Sequence, residues 1–378
     1  MAKIKVLELF AGIGACSKAL ENLGIEHEIV DAVEIDKYAI AAFNAIHGTN
    51  FEPQDITKWD KDIECDLIMH GSPCQDFSIA GKQAGGDEGS GTRSSLVYET
   101  LRIVDKLKPK YVIWENVKNL LSKKHQHNFD AYLEAMEKLG YKNYYQVLNA
   151  KHYGMPQNRE RVFTVSILDG GKYLFPEPIP LEKKLKDVLE KEVDEKYYIS
   201  DAMMDYFMGV NQKPSKFPRR ERFLANINRK NQDVGNSVTT NAGQRPTDNF
   251  VVDDMYKNRE PRVYKETSPT LRSERTGLKV VEPFIVASRG RGENNVQHLE
   301  PRKDGLTNTL TSVQKDNYVA THYRIRKLTP KECYLLMGFD DASFERASKV
   351  LSNTQLYKTA GNSIVVDVLE AILKELLC

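Results

Sequence analysis

Four side chains with reactive or charge-binding groups lie beside apolar segments that have the pattern of buried strands. Cys74 follows the run at 66–70, Glu115 ends the next run, and Arg159 and Arg161 come just before a third. The carboxyl ends of neighbouring parallel strands meet at one sheet edge, which is where ligands bind in open α/β sheets. A thiolate is a nucleophile, a carboxyl group with a raised pKa is an acid, and guanidinium groups bind carbonyl or phosphate oxygens. These residue types indicate covalent chemistry at a shared pocket.

Each of these residues also has a simpler interpretation. A single cysteine is most often a small buried hydrophobic residue, and two arginines are often surface charges. The turn that carries Cys74 contains proline and glycine, as Gly71-Ser72-Pro73-Cys74, and this favours the reactive role. Because side chains alternate along a strand, we expect Arg159 and Arg161 to point the same way.

A second group of residues has the pattern of a cofactor site. Phe10-Ala11-Gly12-Ile13-Gly14 follows the first apolar run and precedes a helix, where glycines allow a ligand to approach the backbone. Ser17 replaces the third glycine of the dinucleotide fingerprint, so a nicotinamide cofactor is disfavoured. Glu34 is placed to bind ribose hydroxyls, and Asp55, where the next strand should end, to bind an amino group. A solvated strand end and a turn cap are their respective alternatives.

The segment 81–91, directly behind Cys74, contains five glycines in eleven positions. Such a composition gives a chain free to open and close, so we expect a substrate lid here, with a passive linker as the alternative.

The first 170 residues alternate apolar runs with amphipathic stretches, which predicts an α/β fold around a mostly parallel sheet. The proline-rich stretch at 176–180 marks a boundary, and the polar region to about residue 321 contains β-prone pairs that recur at irregular spacing. Helical periodicity returns at 330–337 and in a terminal helix over about 364–377. The predicted strands cover residues 4–10, 28–34, 66–70, 110–114, 144–148 and 162–168, and the predicted helices residues 37–46, 94–107 and 128–139.

Charge is distributed unevenly along the chain. The net charge is +1, but residues 213–327 carry +10 and the remainder −9. A basic segment suits a phosphate-facing surface, although a solvated loop region could share the bias. Five cysteines without a CxxC pair argue against a disulfide framework and a thiolate zinc site, so we expect no metal and a reducing cytoplasm. We find no apolar run of membrane-spanning length and no signal-peptide pattern.

Taken together, the ordered motifs closely resemble the cytosine-5 DNA methyltransferases of bacteria and phages. The resemblance covers residues 1 to about 170 and about 324 to 378, and it is specific because eight blocks occur in order. They are Phe-Ala-Gly-Ile-Gly (10–14), Glu34 with Asp36, Asp55, Pro-Cys-Gln (73–75), Glu-Asn-Val (115–117), Gln-Asn-Arg-Glu-Arg (157–161), Leu-Thr-Pro-Lys-Glu (328–332) with Met-Gly-Phe (337–339), and Gly-Asn-Ser (361–363).

The resemblance implies a catalytic role for the four residues considered first. Cys74 would add to C6 of a cytosine flipped out of the duplex, and Glu115 would protonate or hydrogen-bond N3. Arg161 would hold the O2 carbonyl, with Arg159 nearby. The base that removes the C5 proton is not identifiable from the sequence.

The resemblance further implies a Rossmann-like S-adenosylmethionine-dependent methyltransferase sheet with a second, smaller β-rich target-recognition domain. The expected boundaries are 1–180 for the catalytic and cofactor-binding domain, completed by 345–378, and 181–344 for target recognition with its connecting segment. The last two cofactor residues imply that the terminal helix returns to the first β-α unit. The S-adenosylmethionine contacts would fall on Phe10, Gly12, Ile13, Glu34, Ile35, Asp55, Ile56, Pro73, Leu96, Asn362 and Ser363.

The expected partner is double-stranded DNA, because reading a sequence in the major groove needs a dedicated surface such as the long basic insert. A transfer RNA substrate and a catalytically silent DNA-binding homologue are the alternatives, and an oxidoreductase is a distant third. A companion restriction endonuclease fits the family, a monomer is the default expectation, and the expected location is the cytoplasm of a bacterial or phage-infected cell.

Overall fold

The computed structural model describes residues 3–72, 96–184, 187–198 and 328–378, and, between 235 and 327, the backbone of six short strands with the side chain of Arg326. The chain divides into two compact units. The first contains residues 1–189, 232–241 and 330–378, and the second contains 190–231 and 242–329.

A six-stranded sheet forms the centre of the first unit. The strands of this unit are β1 (Ile4–Leu9), β2 (His27–Val33), β3 (Leu67–His70), β4 (Tyr111–Val117), β5 (Tyr141–Asn149), β6 (Gln157–Asn158), β7 (Glu160–Leu168) and β8 (Gly235–Asn236). The order in the sheet is β2-β1-β3-β4-β7-β5, and β6 pairs separately with β8. Strands β2, β1, β3 and β4 run parallel, whereas β7 pairs antiparallel with both β4 and β5. The helices are α1 (Ala15–Asn22), α2 (Lys37–His47), α3 (Val97–Leu107), α4 (Gln126–Lys138), α5 (Pro330–Leu336), α6 (Asp341–Ser348), α7 (Asn353–Asn362) and α8 (Val366–Leu377).

The middle of this sheet is buried. All four residues of β3 are buried, because β3 lies between β1 and β4 and contributes to the core that also includes Trp114 and Phe129. Trp114 stacks on His70 and also contacts Tyr132. A core this apolar fixes the strand register, so the residues at the strand ends stay in place.

The sheet is mostly parallel, as predicted: among its six strands, β7 alone runs antiparallel to its neighbours β4 and β5. One feature differs from the sequence prediction. Residues 49–66 are all described and none lies in a strand, so the strand expected to end at Asp55 is absent. The chain there makes a short 3-10 turn, Ile56–Lys58.

The C-terminal helices complete the first unit. Helix α8 packs against α1, and Asn22 donates to Glu370 over 2.6 Å. The buried ammonium of Lys18 on α1 lies 2.8 Å from Asp340, the residue that caps α6. The terminal helix therefore returns to the first β-α unit, as the resemblance implies.

The described strands of the second unit are antiparallel. Strand β10 (Phe284–Gly290) pairs with β11 (Gln297–Pro301) and with β12 (Tyr318–Ala320), and β13 (Tyr323–Lys327) pairs with β9 (Phe250–Asp254). The expected fold class, an α/β sheet domain with a smaller β-rich domain, is confirmed. Among the helices in the described ranges, none combines the length and the apolar character needed to cross a membrane.

Candidate active site and cofactor cleft

Glu115 and Arg161 form an ion pair between the neighbouring strands β4 and β7. The Nε atom of Arg161 lies 2.9 Å from Oε1 of Glu115, and both side chains are largely buried. The antiparallel pairing places Val117 opposite Arg161, which brings the guanidinium alongside the Glu115 carboxylate. The sequence candidates Glu115 and Arg161 therefore lie together, with a donor and a carboxyl group close enough to act on one small ring.

The strand next to β4 leads into the Pro73-Cys74 segment. Ser72, which is 4% exposed, accepts a hydrogen bond from Trp114 Nε1 over 3.0 Å. This bond ties the chain immediately before Pro73 to the residue immediately before Glu115. Pro73, Cys74 and the glycine-rich segment 81–91 lie outside the described residues.

Arg159 makes different contacts from Arg161. Its Nη2 atom donates to the carbonyl oxygen of Ser363 over 2.8 Å and to that of Gly361 over 3.4 Å. Arg159 lies between β6 and β7, outside any strand, so its direction does not follow from strand alternation. The Arg159 guanidinium holds the C-terminal segment.

A cleft lies over the carboxyl ends of β1 and β3. Gly12 at its wall has a φ of +57°, and no atom lies within 4 Å of the position that a Cβ would occupy. The backbone there leaves room for a ligand against the start of α1. The cleft is lined by Glu8, Leu9, Phe10, Ala11, Gly12, Ala15, Met69, Gly71, Glu115, Asn362, Ser363 and Ile364.

Glu34 is held in place after the end of β2. Its Oε2 atom accepts from the backbone N–H of Gly12 over 3.0 Å, and its Oε1 atom accepts from that of Asp36 over 2.8 Å. Burial raises the pKa of the Glu34 carboxyl above its usual range. Next to it, the apolar side chain of Ile35 is 70% exposed, a position suited to cover a flat ring.

Asp55 and Ile56 lie on the loop 52–62. The Asp55 carboxylate accepts from the backbone N–H and the hydroxyl group of Thr57, and these hydrogen bonds lower its pKa. Asp55 therefore also caps the 3-10 turn, which is the alternative role that the sequence suggests for this residue. Ile56 is buried, and Leu96 packs against the same core.

The remaining cofactor candidates divide into two groups. Phe10, Gly12, Asn362 and Ser363 line the cleft. The Ile13 side chain is 1% exposed and is not part of the lining.

A second cavity lies elsewhere in the first unit. It is lined by Glu21, His27, Arg346 and His47 among others, and none of the sequence candidates borders it. The neutral His47, whose pKa burial lowers to about 4, donates from Nε2 to the carbonyl oxygen of Ile13.

Glu8 lines the cleft but was not predicted from the sequence. Its carboxyl group is 2% exposed and accepts from the backbone N–H of Ser17, and burial raises its pKa to about 7. A signal was present, because a charged residue inside the apolar strand Ile4–Leu9 needs a buried partner. Met69, Gly71 and Ile364 carry no such signal, since only the fold brings them to the cleft.

The comparisons with known proteins agree with this geometry. The model of the C-5 cytosine-specific DNA methylase family matches residues 4–378. The chain is 33% identical to the orphan methyltransferase M.SPRI of Bacillus phage SPR, over 100% of this chain and 98% of that protein. It is 30% identical to the type II methyltransferase M2.ScrFI of Lactococcus lactis subsp. cremoris, over 99% of each.

Solved structures share the fold at low sequence identity. The Dnmt2 methyltransferase of S. pombe matches with a TM-score of 0.62 at 19% identity, over 100% of both chains. The methyltransferase EhMeth of Entamoeba histolytica matches with a TM-score of 0.64 at 16% identity, over 100% of this chain and 98% of that one. With the family model covering nearly the whole chain, the protein is a methyltransferase that belongs to the C-5 cytosine-specific DNA methylase family.

Proposed function

We propose that this chain flips a target cytosine out of double-stranded DNA and methylates C5 of that base through a covalent adduct with Cys74. The observation that carries the proposal is the Glu115–Arg161 pair. Its Glu115 lines a cleft that is also bordered by the glycine loop and by Asn362 and Ser363. The family membership gives the reaction class, and this pair supplies the groups that the ring chemistry needs.

The described residues fit S-adenosylmethionine. The open space at Gly12 admits a ligand against the backbone, and the Glu34 carboxylate, oriented by two backbone N–H groups, is ready to accept from ribose hydroxyls. Exposed Ile35 offers an apolar surface to the adenine ring. Phe10, Gly12, Glu34, Ile35, Asp55, Ile56, Leu96, Asn362 and Ser363 would hold the cofactor, with Pro73 and the backbone of Ile13 completing the set. When bound, S-adenosylmethionine supplies an electrophilic methyl group.

The reaction on the base follows from what each side chain can do. C5 of cytosine is a weak nucleophile, so the Cys74 thiolate first forms a bond to C6. Glu115 protonates or hydrogen-bonds N3, and Arg161 holds both the O2 carbonyl and the Glu115 carboxylate, which stabilises the electron-rich adduct. After methylation, C5 loses its proton, the S–C6 bond breaks and Cys74 leaves as the thiolate.

Arg159 acts indirectly in this proposal. Its guanidinium binds the carbonyl groups of Gly361 and Ser363, two residues of the segment that borders the cofactor cleft. We therefore assign Arg159 a positioning role for Asn362 and Ser363, and leave contact with the base to Arg161.

The proposed partner is a short duplex sequence recognised by residues 181–344, with residues 1–180 and 345–378 as the catalytic domain. The charge of residues 213–327, +10, supports DNA, because counterion release from phosphates favours a basic surface. The proposed enzyme is a cytoplasmic monomer. A companion restriction endonuclease is its proposed second partner, supported by the similarity to the type II methyltransferase M2.ScrFI.

Bisulfite sequencing tests the proposal. The wild-type chain is expressed in a bacterial strain without cytosine methylation, with Cys74→Ala as the control. We expect complete modification in one short fixed context, absent from the control strain. Unmodified DNA despite folded protein, or modified cytosine confined to RNA, would overturn the assignment.

A further inference from the structure

The loop 52–62 contains two of the proposed cofactor residues, Asp55 and Ile56, but has little regular structure of its own. It contains one 3-10 turn of three residues and no strand. A segment of this kind keeps its position through the contacts that its side chains and backbone groups make with the rest of the fold.

Asp31 supplies three of those contacts from a buried position in β2. Its Oδ1 atom accepts from Gln54 Nε2, and its Oδ2 atom accepts from Trp59 Nε1 and from Lys61 Nζ, each over 2.8 Å. Asp31 is 1% exposed. The hydrogen-bonded residues flank Asp55 and Ile56 in sequence, so one carboxylate fixes both ends of the short stretch that carries them.

The backbone of β2 is irregular at the residue before Asp31. Val6 pairs with Ile29 but Leu7 pairs with Asp31, so the register between β1 and β2 shifts at Val30. A bulge re-aims the side chain that follows it. The carboxylate accordingly receives the N–H of Ala32 as well as the three donors of the loop.

The hydrogen bonds around Asp31 also connect the loop to Glu34, the proposed ribose-binding residue. Gln54, which donates to Asp31, also donates its backbone N–H to the carbonyl oxygen of Glu34 over 2.8 Å. From the other side, Arg102 Nη2 donates to the carbonyl groups of Ile56 and Trp59. Glu34, Asp55 and Ile56 are thereby placed relative to one another by residues that do not line the cleft.

We propose that Asp31 is a positioning residue for S-adenosylmethionine, which holds the loop 52–62 so that Asp55 and Ile56 stand beside Glu34. The inference rests on the proposed cofactor site. Burial alone would raise the pKa of this carboxyl, but the hydrogen bonds from Lys61, Trp59 and Gln54 lower it. Asp31 is thus an ionised acceptor surrounded by donors. An asparagine in its place would turn an N–H₂ group towards at least one of those donors.

The test compares Asp31→Asn with wild type in the full-length protein. We expect the dissociation constant of S-adenosylhomocysteine, measured by calorimetry, and the KM for S-adenosylmethionine to rise roughly 10-fold. The kcat at saturating cofactor should change less than about twofold, because Asp31 does not contact the reacting atoms. Amide hydrogen exchange in peptides covering 52–62 should become faster without ligand, a readout independent of activity.

Two further variants make the outcome decisive. Asp66→Asn is the control for a carboxylate that does not hold the loop. Asp66 is exposed, accepts from the backbone N–H of Lys5 at the opposite side of β1, and has no hydrogen bond to the loop among the described residues. Trp59→Phe removes one donor and leaves Asp31 in place, so it tests the same contact if Asp31→Asn does not fold. Trp59→Phe should weaken S-adenosylhomocysteine binding. The double variant Asp31→Asn/Trp59→Phe should bind S-adenosylhomocysteine about as weakly as Asp31→Asn alone.

The results separate this inference from the proposed function. Wild-type affinity in folded Asp31→Asn and Trp59→Phe, or an equal loss in Asp66→Asn, would overturn the positioning role and leave the cofactor site intact. No S-adenosylhomocysteine binding by the wild-type chain would overturn the cofactor site itself, and the positioning role with it.

Discussion

The Nε atom of Arg161 lies 2.9 Å from Oε1 of Glu115, across the pairing of β4 with β7. The contact joins the proposed acid to the proposed carbonyl-binding group before any substrate is present. The two groups therefore act as one unit, and loss of either should affect the function of the other.

Glu115→Gln should reduce kcat by about 10²- to 10⁴-fold, because the amide retains the shape of the side chain but cannot transfer a proton to N3. Steady-state methyl transfer to DNA measures this. Glu160→Gln is the control, since Glu160 forms the neighbouring but exposed pair with Lys118 at 3.0 Å. That control should keep activity near wild type, and a Glu115→Gln enzyme within a few-fold of wild type would contradict the assigned role.

Gly12→Ala should weaken S-adenosylhomocysteine binding at least roughly 10-fold, because the new methyl group would enter the open space beside the cleft. Calorimetry measures the affinity, and thermal unfolding without ligand measures the stability. Gly24→Ala is the matched control, with a φ of +66° and nothing within 4 Å of its Cβ position. Both variants should lose about 1 kcal/mol of stability, so equal affinities would show that Gly12 does not contact the ligand.

Ser72→Ala should destabilise the fold by about 1–3 kcal/mol, because it leaves the buried N–H of Trp114 without the oxygen that it now donates to. Chemical denaturation measures the loss. Removing both partners should cost less than the sum of the single losses, so Ser72→Ala combined with Trp114→Phe completes a double-mutant cycle. Additive losses would show that the hydrogen bond contributes no coupling energy.

Asp367→Asn should stabilise the protein above pH 6. Burial raises the pKa of this carboxyl, whose ordinary value is 3.8, to about 6 in the folded state. The fold therefore loses stability as the pH rises from about 4 to 6, and the amide avoids that loss. The raised pKa is the net effect of all interactions with the charged form, so we expect a gain of up to about 3 kcal/mol at pH 7.5 and almost none at pH 4. Urea titrations at both pH values measure it, and an equal effect at the two would refute the pKa assignment.

The sequence was informative where a local pattern determines the structure. Apolar runs located the strands, and the glycine motif correctly placed Gly12 at a cleft. It was less informative where the fold brings distant residues together. The three donors that surround Asp31 come from 23 to 30 residues along the chain. Nothing local to Asp31 distinguishes it from a solvated strand carboxylate.

Arg159 and Arg161 are a second example in which the local sequence does not reveal the partners of a residue. Arg159 and Arg161 are two residues apart and chemically identical, yet one binds carbonyl groups near the C-terminus and the other binds Glu115. Arg159 lies at the break between β6 and β7, a feature that strand periodicity does not reveal.

The contact between Arg159 and Ser363 can form only late in the synthesis of the chain. These residues are 204 positions apart, and the whole second unit is translated between them. At ordinary bacterial elongation rates, roughly 10–40 s pass before the ribosome reaches the residues that close the cofactor cleft. A nascent chain therefore contains the proposed nucleophile Cys74 and the basic segment 213–327 well before the proposed cofactor cleft can close.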